Sequence, residues 1–162
     1  MNRIRSLIPI LLVVAPPSAF ALDAACEAIL KASEARIKQP AWHSITEIGG
    51  GTRMEAIKSD GQFFRKTGGK WAKFPASVDD AERKLLAQIR SGEVKLTQCK
   101  VLGSDVVEGE PVTVVGSRTE MQGMPAREAK LYIGKRDGLP YRQTGENFTV
   151  VYRYKDVVAP KP

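Results

Sequence analysis

The chain has 162 residues, 43% of them hydrophobic and 27% charged, a size and composition that fit one globular domain and exclude a two-domain enzyme or a repeat array. Its formal charge of +7 favours acidic partners. The basic residues are nonetheless spread through nearly every segment beside acids, so no stripe for nucleic acid forms and none is expected as a partner.

Residues 1–21 read as a secretory signal. Arg3 and Arg5 open it, Leu7 to Val14 form a short apolar run broken by Pro9, and Ala19-Phe20-Ala21 sets small residues where a signal peptidase cuts, after Ala21. The run is too short for a membrane-spanning helix of roughly 20 residues, and Pro16-Pro17 stops it. Cleavage leaves 141 residues and, with Arg3 and Arg5 gone, lowers the charge from +7 to +5. A single domain is expected over 22–157, followed by a tail over 158–162 that contains Pro160 and Pro162 and has no periodicity.

Cys26 and Cys99 are the only cysteines. Export favours a structural disulfide between them, and loop closure of this length stabilises a fold by on the order of 4 kcal/mol. Two buried free thiols are the alternative. Redox exchange would call for the Cys-x-x-Cys spacing that is missing. Asp23 and the alanines before Cys26 make a poor lipoprotein signal.

In chain order, Asp23 caps a helix whose Cys26, Ile29, Leu30, Ser33 and Ile37 recur at helical spacing until Pro40. From Trp42 the period changes to that of strands. Ile45, Glu47 and Thr52 to Lys58 flank the turn Gly49-Gly50-Gly51; Ser59-Asp60-Gly61 leads to Gln62–Lys66; Thr67-Gly68-Gly69 leads to Lys70–Phe74. After Pro75 a second helix is predicted from Asp79 or Asp80 to Arg90, with Leu85, Leu86 and Ile89 as its apolar edge and the acidic Asp79, Asp80 and Glu82 placed to cap its start. Strand-like segments then run through Val94–Leu102, Val112–Thr119, Ala129–Ile133, Tyr141–Thr144 and Phe148–Tyr154. Seven to nine antiparallel strands and two helices without strand–helix alternation predict an α+β fold, a strongly curved sheet covered by helices on its concave side.

The inventory for chemistry is thin. His43 is the only histidine, with no cysteine or carboxylate cluster to complete a zinc site. A base role with Ser44 would need both side chains on one side of a strand, against the alternation of neighbours. The glycine runs lack the lysine and hydroxyl residue of a phosphate-cradling loop. No catalytic residue, metal or cofactor is assigned. The aromatic residues are more suggestive: Phe63 and Phe64, Trp71, Tyr132, Tyr152 and Tyr154 are the candidate ligand-binding residues, since a curved sheet can line an apolar pocket with them. Tyr152 and Tyr154 share a face, whereas Phe63 and Phe64 face oppositely on a regular strand.

Lys130-Leu131-Tyr132-Ile133, then Gly138-Leu139-Pro140 and Arg142, and the closing Tyr152-Arg153-Tyr154-Lys155-Asp156-Val157 carry a resemblance to the bacterial outer-membrane lipoprotein-sorting proteins, a carrier superfamily that includes lipid-binding envelope lipoproteins. Gly61-Gln62-Phe63-Phe64, Gly69-Lys70-Trp71 and Cys99 with Leu102-Gly103 are similar to small proteobacterial periplasmic members. The resemblance covers most of residues 23–157. It implies an incomplete antiparallel β-barrel closed by helices, located in the periplasm, whose apolar interior shields lipid chains in transport without a covalent step. This chain is shorter than the better-known carriers, and their functional arginine does not map to one residue here, so none is assigned. The expected function is therefore a non-enzymatic binding or carrier protein for a lipid, acyl chain or lipidated partner, with an anionic membrane surface as a second candidate partner. An envelope structural or interaction domain without ligand is the alternative, and a hydrolase using His43 a distant third.

Overall fold

The computed structural model describes residues 22–161, so the signal expected over 1–21 lies outside the described residues, as does Pro162. The first helix, α1 (Ala24–Lys38), begins where the Asp23 carboxylate accepts the Cys26 amide at 2.8 Å and ends at Gln39, whose extended backbone leads into Pro40. Four strands follow as consecutive hairpins: β1 (Ala41–Ile48), β2 (Thr52–Ser59), β3 (Gln62–Thr67) and β4 (Lys70–Phe74). The second helix, α2 (Val78–Ser91), starts at Ser77, whose hydroxyl accepts the Asp80 amide at 3.1 Å. It stops at Gly92, in the left-handed region at φ 81°, which a residue without Cβ adopts without strain. Five further strands complete the chain: β5 (Lys95–Val107), β6 (Glu110–Glu120), β7 (Arg127–Gly134), β8 (Pro140–Gly145) and β9 (Phe148–Arg153).

All nine strands form one antiparallel sheet in the order β4-β3-β2-β1-β9-β8-β7-β6-β5. The antiparallel strands and two helices match the sequence reading, but the expected incomplete barrel does not. The sheet is open, with β4 and β5 at opposite edges and no pairing between them. The reason lies in two connections. Pairing of β1 with β9 puts the first and last strands at the centre, which sends β4 and β5 outward. The link between those edges contains α2, whose 14 residues span roughly 21 Å. With its six flanking residues it is long enough to cross an open sheet, so the hairpins impose no closure. Lys70 and Lys73 on β4, and shifts in register at Gln98–Cys99 and Leu102 on β5, keep the free edges from pairing further.

Both helices pack on one face. Cys26, Leu30 and Ile37 of α1 meet Leu86 and Ile89 of α2 and Val94 and Leu96 at the start of β5. Cys26 and Cys99 are joined in a disulfide, so the free-thiol alternative does not hold, and the bridge ties α1 to β5 across 73 residues. A second cluster of Val107, Val112, Leu139 and Tyr141 closes the other end, where Tyr141 donates to Asp137 at 2.7 Å and Tyr154 donates to the Pro140 carbonyl at 2.5 Å.

Candidate functional site

The pairing register assigns each strand residue to a face. Trp42 and Ser44 on β1, Ala56 and Lys58 on β2, Phe63 on β3, Phe74 on β4 and Tyr152 on β9 lie in rows on the helix side. His43, Ile57, Phe64 and Lys73 form one row on the other side, with Trp71 beside His43 at 6.2 Å between ring centres. The six candidate aromatics therefore do not line one pocket. Phe63, Tyr152 and Tyr154 stand on the helix side, and Phe64, Trp71 and Tyr132 on the outer side. Phe63 and Phe64 are both buried, Phe64 opposite Ile57 on the outer side. Tyr132 lies beneath the Arg142 guanidinium at 5.3 Å. His43 sits 3.2 Å from Glu55, while Ser44 points to the helix side, so the dyad considered from sequence does not assemble.

On the helix side, Trp42 is the hub. Phe63 lies 6.1 Å and Tyr152 6.4 Å from it between ring centres, and the Arg36 guanidinium of α1 stands 5.2 Å from the Trp42 ring and 5.2 Å from the Tyr152 ring. Arg36 is 4% exposed, and Glu82 of α2 neutralises it. Alongside, the Lys58 ammonium donates to Asp79 at 2.5 Å and to the Ile37 carbonyl at 2.8 Å, with both charged side chains buried. Asp79 and Glu82, expected as capping charges, are thus interface partners, because the Ser77 hydroxyl already serves the helix start. Four ionisable groups in this cluster pin the N-terminal end of α2 to α1 and β2. The cluster leaves Trp42 Nε1 and Asp79 Oδ1 buried without a partner among the described residues, at a cost of about 1–3 kcal/mol each.

Next to this cluster, between β2, β3, β4 and the start of α2, is a crevice of about 220 Å³ lined by Thr46, Met54, Glu55, Ala56, Phe63, Phe64, Arg65, Phe74 and Val78, with the Arg65 guanidinium 5.3 Å from the Phe74 ring centre. Its surface is mainly apolar, and it is somewhat smaller than the usual small-molecule pocket. Its rim continues across the sheet in a single row on the helix side: Met54, Thr46, Val150, Gln143, Leu131, Val115 and Val101 are cross-strand neighbours in turn. The row spans six strand intervals, roughly 29 Å. Beneath α1 its centre is filled, with Val115 at 1% exposure, but its ends are open, Met54 at 38% and Val101 at 62%. Sequence reading missed Met54 and Val101, because only the register places them on one line. Among the described residues, Asp23, Cys26 and Cys99 are the one grouping able to present three metal-ligating atoms together, and the disulfide uses both sulfurs.

No family model matches the chain. No curated protein matches it. Among solved structures it is similar to the lipoprotein LppX of Mycobacterium tuberculosis, with a TM-score of 0.57 and 14% identity over 83% of this chain and 97% of that one. It is similar also to LprF of Mycobacterium bovis, with a TM-score of 0.56 and 13% identity over 85% of this chain and 96% of that one. These two likenesses, at such low identity, establish a shared fold.

Proposed function

We propose that the protein is an exported, non-enzymatic binding or carrier protein of the bacterial periplasm that holds the acyl portion of a lipid or lipidated partner on the helix side of its sheet. The observation that carries this reading is the apolar crevice at Phe63, Phe74 and Met54, continuous with a row whose far end at Val101 is also open. Each methylene moved from water into such a site contributes roughly 0.8 kcal/mol. The filled centre beneath α1 limits the chain in contact to the crevice and the exposed flanks unless the helices shift. One of the structures that share the fold, LppX, is a lipoprotein, which fits an envelope setting for it. Of the aromatics singled out in the sequence, Phe63 would touch the chain directly, while Tyr152 would act through its contact with Trp42 and Arg36.

The test is binding of a fluorescent fatty acid to the oxidised mature protein, together with native mass spectrometry of protein taken gently from the envelope. Met54→Lys and Val101→Lys each put a charge at an exposed end of the row, where folding tolerates it. Weakening of the probe by about tenfold in Met54→Lys, with an unchanged thermal melt, is the expected result. Equal binding by wild type and both variants, or no saturable binding and no acyl-chain mass on the native protein, refutes the reading and leaves the ligand-free interaction domain.

A further inference from the structure

Residues 61–78, which form β3, β4 and the approach to α2, contain no Asp or Glu, the longest such run between 22 and 161. The run nevertheless carries Arg65, Lys66, Lys70 and Lys73. Of these, Lys66 is engaged by Glu55 of β2 at 3.2 Å, a carboxylate that His43 and Arg53 also reach. Arg65, Lys70 and Lys73 are exposed and have no ion pair among the described residues. The flanking acids offer little relief. Asp60 and Asp80 sit at the end of the hairpin away from its Gly68-Gly69 turn, and the buried Asp79 belongs to Lys58. Asp80 borders the same depression as Lys73 without forming an ion pair with it.

The pairing register spreads the four cations over both faces of the hairpin. Arg65 and Lys70 share the helix side with Phe74, and Lys66 and Lys73 share the outer side with Trp71. What the four have in common is the unpaired edge of β4. A flat surface meeting the sheet edge-on would touch cations of both faces at once, whereas a small anion would meet one or two. The aromatic residues follow the same line. The Arg65 guanidinium stands 5.3 Å from the Phe74 ring centre and the Lys66 ammonium 5.8 Å from that of Trp71, with both rings half-buried. An indole half in water beside cations suits the headgroup level of a bilayer, where each ammonium or guanidinium is drawn to anionic lipid. Lysines on a free edge disfavour an added strand, while a lipid surface needs no main-chain partner.

We propose that the β3–β4 edge docks on an anionic lipid bilayer, with Lys70 and Lys73 against the headgroups and Trp71 at the interface. Because Arg65 and Phe74 also border the crevice, docking sets that opening beside the lipid. The docking needs no chain in the crevice, so vesicle binding and acyl-probe binding can fail separately. The experiment is co-sedimentation of the oxidised mature protein at low salt with large vesicles of phosphatidylcholine, alone or with roughly a third phosphatidylglycerol. Partition onto the anionic vesicles only, weakened by added salt, is expected. Lys70→Gln/Lys73→Gln should lose about thirtyfold, at about fivefold for each cation, with an unchanged thermal melt. Lys100→Gln/Lys130→Gln takes the same charge from the other half of the sheet and should lose less than about threefold. The anionic vesicles should also shift tryptophan emission to the blue in wild type and not in Trp71→Phe, since Trp42 is buried throughout. Equal losses in the two double variants, equal binding to neutral vesicles, or no partition at about 1 mM lipid overturns the proposal. Binding of a polyglutamate peptide without partition onto vesicles assigns the edge to an acidic protein segment and overturns it likewise.

Discussion

Replacing Lys58 by Met tests the buried charge cluster most directly. Among the described residues the ammonium is one of only a few charges taken out of water, with its side chain 9% exposed and that of Asp79 7% exposed. Methionine has nearly the same length and fills the space, so packing is retained and the electrostatic consequence is isolated. The Asp79 carboxylate would then lose the donor to Oδ2 while Oδ1 already lacks one, and the Ile37 carbonyl at the end of α1 would lose its side-chain donor. Stranding one charge of a buried pair costs about 3–5 kcal/mol. Against a total stability of about 5–15 kcal/mol, that is about a fifth or more of what holds the fold together. For a domain of this size the melting temperature should fall by roughly 10–20 °C. Urea unfolding of the oxidised protein gives the free energy, and an unchanged m value confirms that the same surface is exposed. Lys58→Met/Asp79→Leu removes both charges and should recover most of the loss, since an apolar replacement of a buried pair is often neutral or stabilising. A loss below about 1 kcal/mol in the single variant, or a double variant whose cost is the sum of the two singles, refutes the reasoning. Either result would mean that water reaches the pair and that the α2 end is not clamped to the sheet.

Cys26→Ser/Cys99→Ser should lower stability by about 3–4 kcal/mol in urea unfolding, and adding reductant to the wild type should reproduce the change; equal midpoints for oxidised and reduced protein would contradict it. The Arg153 guanidinium donates to both oxygens of Glu108 and holds that carboxyl below its ordinary 4.5 against the opposing effect of partial burial. A folded value below the unfolded one means that this pair's contribution is complete above about pH 4.5 and is lost as the pH falls through the folded value. Glu108→Gln should therefore flatten the acid limb of a melting-temperature profile below that pH and leave its dependence near neutrality unchanged; an identical acid limb would count against the pair. A methyl group on Gly145 would run into the ring of Phe148, so Gly145→Ala should cost about 1–3 kcal/mol, measured by thermal unfolding, and Gly145→Ala/Phe148→Leu should regain part of it.

The elements of this fold were legible in the sequence because each is marked by local chemistry. Asp23 and Pro40 bracket α1, and the glycine-bearing turns separate strands that alternate as hairpins must. Closure was not legible, since nothing local to Ala41–Ile48 or Phe148–Arg153 announces that these segments pair with each other, and that single long-range ladder decides which strands become edges. The same limit applies to the site. Tyr152 and Phe63 share the helix side by period alone, but their meeting at Trp42 requires the order β3-β2-β1-β9.

Charge shows the limit most clearly. Asp79 at the start of a helix has two uses open to it, holding the helix terminus or neutralising a distant cation, and sequence position favours the first. Ser77 occupies the capping position two residues earlier, which frees Asp79 to turn inward, and Lys58 reaches it because Ala41–Ile48 pairs with Thr52–Ser59 in a register that sends Trp42 and Lys58 to the same side. The pair then occupies space between helix and sheet that aliphatic side chains would otherwise fill. A crevice beside α2 remains where Phe63, Phe74 and Val78 do not meet across that polar neighbour. The apolar space and the buried charges are thus two results of one arrangement. A sequence containing hydrophobic residues at Lys58 and Asp79 would be expected to bring α2 closer to the sheet, narrow the crevice and bind an acyl probe less well while unfolding close to the wild-type temperature. Near-wild-type stability with unchanged probe affinity in Lys58→Met/Asp79→Leu would separate the two and remove the structural reason for keeping the charges.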